Sequence, residues 1–84
     1  MTYTLAQLPP GESGRVAALD FPPRKARRME DLGFLPGQHV TALHTPPFGG
    51  ITAYQVLDTV IALRDTDASR ITLYTLQDEK DDVL

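Results

Sequence analysis

The sequence predicts a mainly β domain: five short strands closed into a small barrel, with one short α-helix inserted among them. Three observations carry this. Turn signals recur at short intervals, at Pro9-Pro10-Gly11, Pro36-Gly37 and Pro46-Pro47-Phe48-Gly49-Gly50. The apolar runs between them have strand length rather than helix length. A single basic, helix-like segment, Arg24-Lys25-Ala26-Arg27-Arg28-Met29-Glu30-Asp31-Leu32, lies between Pro22-Pro23 and Gly33. Eighty-four residues suffice for one domain with a thin core.

Taken in order, Leu5 and Leu8 flank a short opening segment that Pro9-Pro10-Gly11 interrupts. Residues 15–20 alternate weakly, with Val16 and Leu19 as core candidates. The helix follows over 24–32. Proline is tolerated in its first turn, and Ala26, Met29 and Leu32 form its apolar stripe. Gly33 stands where a left-handed C-cap is needed, and the apolar exit Phe34-Leu35 is expected to pack. Pro36-Gly37 suits the centre of a type II turn, proline setting φ and glycine accepting positive φ. Residues 38–45 form the next strand; its imperfect alternation implies a bulge or burial on both faces. Residues 51–57 and 60–64 form a hairpin turned at Asp58-Thr59, without the glycine that a two-residue turn prefers. Thr66-Asp67-Ala68-Ser69 makes one helical turn, and a strand around Ile71 and Leu73 closes the domain. The inward candidates are Val16, Leu32, Val40, Tyr54, Val56, Ile61, Leu63, Ile71 and Leu73. A lone helix inserted after the first strand fits a small SH3-like barrel better than a sandwich, and closure hides strand edges. The domain is expected to span 1–77, with 78–84 as a disordered acidic tail.

Charge is unevenly placed. The net charge is −3, and Asp78-Glu79-Lys80-Asp81-Asp82 alone contributes −3, so the remainder is neutral. Within it, Arg24, Lys25, Arg27 and Arg28 make a compact basic patch that could grip an acidic surface or a phosphate. The alternative is a solvated helix face with Arg27 or Arg28 paired to Glu30 or Asp31. The tail is either a frayed end or an acidic strip that screens the basic helix until a partner displaces it.

Several chemistries are excluded. Cysteine is absent, which removes disulfides, thiolate metal sites and thiol catalysis. No phosphate-cradling Gly-x-x-x-x-Gly-Lys-Ser/Thr and no nucleophile elbow is present, so a non-enzymatic role is expected. The longest aliphatic run, Val60-Ile61-Ala62-Leu63, is far short of the ~20 residues of a spanning helix, so no direct membrane insertion is expected. A cysteine-free chain with no signal-like start points to the cytoplasm. His39 and His44 are the candidate metal ligands. Five apart on a strand, they point to opposite faces unless a bulge intervenes. No cofactor is required, and any iron or zinc binding is expected to be weak. Phe48 could plug the barrel end or protrude as an anchor. Phe34 and Phe48 are the candidate apolar contacts. A bare sheet edge and an exposed Phe48 would permit a homodimer.

The residues also resemble a known family. Leu5, Leu8, Gly11, Gly14 and Val16, then Arg27, Arg28, Leu32, Gly33, Pro36, Gly37 and Val40, then Pro47-Phe48-Gly49, and finally Ile61-Ala62-Leu63-Arg64, Ala68 and Ile71, follow the order and spacing of the FeoA family. Two departures fall in turns: Gly50-Ile51 stands where the family usually has Asp-Pro, and Asp58 where it usually has glycine. The resemblance implies an SH3-like barrel working beside FeoB, a membrane ferrous-iron transporter with a cytosolic GTP-binding domain. It also implies a cytosolic location, peripheral to the inner membrane through that partner. Arg24, Arg27 and Arg28 would then steer the encounter. Two other classes remain open: a divalent-metal carrier, and the SH3-like module of a metal-dependent transcriptional regulator. The absence of a ligand cluster weighs against the first. The neutral core and acidic tail weigh against the second and against nucleic acid as a partner.

Overall fold

The computed structural model describes residues 3–45 and 49–74. The elements run β1 (Tyr3–Thr4), a 3-10 turn (Leu5–Gln7), β2 (Ser13–Leu19), α1 (Pro23–Asp31), β3 (His39–His44), β4 (Ile51–Val56), β5 (Thr59–Arg64), α2 (Asp65–Ala68) and β6 (Ile71–Leu73). Six strands thus replace the expected five, because Tyr3-Thr4 adds a two-residue strand against β6. The sheet order is β1-β6-β2-β3-β4-β5, with every pairing antiparallel. Among the described residues β1 and β5 are sheet edges, so the wall is barrel-like without closing through backbone hydrogen bonds.

Strand β2 makes the curvature. Its first residues, Ser13 to Arg15, pair with β3, and its last, Val16 to Leu19, pair with β6. The register shifts between Val16 and Ala18, and such a bulge bends and twists the strand. One strand therefore serves both walls. A second shift, between Ala42 and His44 of β3, explains the broken alternation there.

The core between the walls contains Leu5, Leu8, Val16, Met29, Phe34, Val40, Ala42, Tyr54, Val56, Leu63, Ala68, Ile71 and Leu73. Seven of the nine inward candidates belong to it; Leu32 and Ile61 do not. Ile61 packs half-buried against it, because β5 is an edge strand with little cover beyond. Tyr54 carries a hydroxyl into this apolar volume and donates it to the Leu5 carbonyl, 3.4 Å away. Burial holds its phenol above the ordinary 10.0, assisted by the Asp65 charge and opposed by the Thr52 side chain.

The helix exit decides where Leu32 goes. Leu32 is the C-cap, and Gly33 follows at φ 115. The Gly33 amide donates to Glu30 O at 3.0 Å, and the Phe34 amide to Met29 O at 3.0 Å. These two bonds define a Schellman motif, in which the residue after the glycine folds back towards the last helical turn. Phe34 and Met29 are accordingly both buried, while Leu32 is 39% and Leu35 45% exposed. The expected apolar stripe keeps Met29, holds Ala26 half-buried and loses Leu32 to the surface. A side chain at 33 is disfavoured: a Cβ there would meet Leu57 Cδ1 and Val56 Cγ2 at 3.1 Å, which would have to give way, and positive φ adds strain. Pro36-Gly37 then turns as expected, with Gln38 N–H bonded to Leu35 O at 2.9 Å and Gly37 at φ 92.

The β4–β5 hairpin turns one residue earlier than expected. Val56 faces Thr59 in register, so Leu57 and Asp58 are the two loop residues. Leu57 takes the positive φ, 55°, that a tight hairpin demands at its first central position. The missing glycine is thus replaced by a strained leucine, 58% exposed at the tip.

Candidate docking cleft

Helix α1 presents a nine-residue segment of which Met29 is the one buried side chain. Its remaining residues are therefore available to the surface. Arg24 and Arg28 are one turn apart and share a face. Together with Pro22, Lys25, Met29 and Asp67 they line an open groove of about 520 Å³ between α1 and α2. A second depression of about 330 Å³ adjoins it, lined by Phe21, Pro22, Lys25, Thr66, Asp67 and Arg70. The two share Pro22, Lys25 and Asp67 and form one cleft.

The divide between them is an ion pair. Lys25 Nζ donates to Asp67 Oδ1 at 2.8 Å, across 42 residues of sequence. The lysine is 45% and the aspartate 21% exposed, a setting in which a pair contributes about 0–1 kcal/mol. The Phe21 ring lies below the ammonium, 5.5 Å from it. This cation–π contact adds a modest further hold. Asp67 sits on α2, whose buried Ala68 anchors it, so the carboxylate is presented from the sheet side.

Arg24, Arg27 and Arg28 make no ion pair among the described residues, so the expected alternative of pairing to Glu30 or Asp31 is not realised. Among the described residues around the cleft, four cations, Arg24, Lys25, Arg28 and Arg70, meet one carboxylate, Asp67. The result is a concave, strongly cationic surface with an apolar floor at Met29 and Phe21, suited to an anionic segment rather than to bond chemistry.

Of the residues singled out from sequence, Arg24, Lys25 and Arg28 converge here. Arg27 is exposed but lies off the cleft lining. Phe34 is a correction: at 0% exposure it is a core residue and offers no surface contact, because the Schellman fold-back draws it inward. Phe48 lies outside the described residues, as do residues 78–84 of the expected tail. Asp67, Arg70 and Phe21 were not expected. Asp67 was visible only as part of a helical turn, and no local pattern couples it to Lys25.

His39 and His44 are both exposed. The bulge that the sequence left open does intervene, and the register places Thr41 opposite Gln55 and His44 opposite Ala53. Both histidines thus share the outer face of β3. Four register steps separate them, about 13 Å along an ideal strand at ~3.3 Å per residue. No group of three or more His, Asp or Glu side chains able to hold a metal occurs among the described residues.

The comparisons with known proteins agree with this architecture. The FeoA domain model matches residues 3–74. The solution structure of a FeoA protein from Chlorobium tepidum superposes with a TM-score of 0.81 at 26% identity, over 88% of this chain and 70% of that one. FeoA of Stenotrophomonas maltophilia, solved with zinc and described as a procaryotic SH3 domain protein, gives 0.72 at 33% identity, over 88% and 89% of the two chains. A manganese-dependent transcriptional repressor shares the fold alone, with a TM-score of 0.75 at 21% identity, and this chain spans 42% of it. No curated protein matches the sequence. With a family model covering the sheet, both helices and the cleft, the chain belongs to the FeoA family and has its SH3-like fold.

Proposed function

We propose that this chain serves ferrous-iron transport as a non-enzymatic docking module, and that it binds an acidic surface on the cytosolic GTP-binding domain of a FeoB-type transporter. Family membership supports the transport role, and the Stenotrophomonas relative is itself described as a possible ferrous iron transport activating factor. The observation that carries the docking reading is the pair Arg24 and Arg28, without an ion-pair partner among the described residues, on the rim of a cationic cleft. Exposed cations so placed accelerate encounter with an acidic partner more than they tighten the final complex. The chain reaches the membrane through this partner: no helix among the described residues is long and apolar enough to cross it.

The test is the association rate with the isolated GTP-binding domain, measured with and without nucleotide. Arg24→Glu combined with Arg28→Glu is expected to slow association by about tenfold or more at low salt and little at high salt. An unchanged rate at low salt removes these arginines from the docking surface. NMR titration of the labelled chain locates the contact independently, at α1 and Arg70 if the cleft is used.

A further inference from the structure

Among the described residues the cleft carries four cations against one carboxylate, a net of +3. The chain beyond the last described residue carries Asp78-Glu79-Lys80-Asp81-Asp82, a net of −3. We propose that this acidic stretch occupies the cleft of its own molecule, its carboxylates facing Arg24, Arg28 and Arg70, and that an acidic partner gains the cleft by displacing it. The displacement rests on the docking reading above; the intramolecular contact does not.

The exit point makes the contact reachable. Tyr74 is fixed to the sheet, its N–H bonded to Arg15 O at 2.9 Å and its ring under the Arg15 guanidinium at 4.4 Å. Arg70, on the cleft wall, lies four residues back along β6, about 13 Å at ~3.3 Å per residue. From Tyr74, four residues reach Asp78 and span up to about 14 Å; eight reach Asp82 and span up to about 28 Å. The first acids can therefore return to Arg70 and the last can extend towards α1. A tether this short keeps the stretch at an effective concentration of about millimolar. Weak, exposed charge pairs then suffice to hold it, yet yield to a partner with more contacts.

Asp67 serves as an internal precedent. It already shows that a carboxylate from the C-terminal third of the chain is accepted by α1, at Lys25. Arg24 and Arg28 flank that pair and have no such partner among the described residues.

The experiment compares NMR spectra of the full chain with those of a full-length variant in which the stretch is neutralised by Asp78→Asn, Glu79→Gln, Asp81→Asn and Asp82→Asn. At low salt the backbone signals of Arg24, Lys25, Arg28 and Arg70 are expected to shift between the two proteins. In about 0.5 M salt, where the screening length falls below ~5 Å, the difference should vanish. Arg24→Glu with Arg28→Glu in the native chain should in turn move the amides of 78–82. Three results overturn the proposal: no shift at the cleft, shifts confined to Arg15 and Tyr74 at the exit, or shifts that grow with protein concentration, which assign the contact to a second copy. No transporter is present, so the outcome is independent of docking. If the cleft signals shift but the GTP-binding domain does not bind, the docking reading falls and the intramolecular contact stands.

Discussion

Helix α1 and the β3–β4–β5 sheet are held by opposite means. The sheet is fixed by paired backbones and by a core drawn from alternate positions: Val40 and Ala42 from β3, Tyr54 and Val56 from β4, Leu63 from β5. The helix is fixed at its ends and at two points between. Pro22-Pro23 starts it, the Schellman turn at Gly33 stops it, Met29 enters the core, and Lys25 reaches Asp67. An element tied down by so few side chains leaves most of the others for the surface, and here those include three arginines. Cationic residues can therefore be concentrated on α1 with little consequence for folding, whereas a comparable change on the inner face of β4 would bury an unpaired charge.

The sharpest way to break this contrast is Phe34, the residue that joins the two regions. Phe34→Ala is expected to cost about 3–5 kcal/mol, a large part of the stability of a domain this small. Its neighbour Leu35, 45% exposed, serves as the control, and Leu35→Ala should change stability by roughly 0.5 kcal/mol or less. Urea denaturation separates the two; equal effects would mean that the exit of α1 packs differently.

A smaller effect is expected inside the sheet, at Tyr54. Tyr54→Phe removes the hydroxyl donated to Leu5 O and should cost about 0.5–1.5 kcal/mol near neutral pH. Its phenol is held above 10.0 in the folded chain, so the neutral form is the one the fold accommodates. The unfolded chain then releases its proton first as pH rises. The stability linked to Tyr54 is complete below pH 10 and is lost as pH rises through the folded value. Alkaline unfolding curves should be flatter in Tyr54→Phe; an identical alkaline limb would place the phenol in contact with water.

The smallest effect is expected on the helix. Lys25→Met breaks the bridge to Asp67 while keeping an unbranched stem over Phe21. It should shift stability by about 1 kcal/mol or less. Thermal melts with and without salt check this; a loss of several kcal/mol would make the bridge a main anchor of α1 and overturn the contrast.

The same contrast explains what could be read from the sequence. The limits of α1, the turn at Pro36-Gly37 and the single turn before β6 were legible because proline, glycine and short polar residues act on their own backbone. The bulge in β3 was foreshadowed by broken alternation. Among core residues, Val40, Tyr54 and Val56 were legible from strand patterning and Phe34 from the apolar helix exit expected to pack, though Leu35 beside it is exposed; Leu5 and Ala42 were not among the inward candidates. The hairpin turn was displaced by one residue because Leu57 carries no turn signal; pairing of Val56 with Thr59 imposes its positive φ. In the cleft, Arg24, Lys25 and Arg28 were legible as a charge cluster, whereas Asp67, Arg70 and Phe21 were not.

By itself, then, the sequence determined where the chain turns, which segment is helical, how its charge is divided and which family it resembles. These follow from interactions within a few residues. Only the tertiary structure decided that Phe34 is inside and Leu32 outside, that both histidines share one face, and that Asp67 stands 2.8 Å from Lys25. The Schellman bonds that turn Phe34 back are local, but its burial depends on the sheet it turns towards. A bulge and a three-strand return likewise carry a side chain to a place set by backbone pairing far along the chain, and residue spacing holds no record of that pairing.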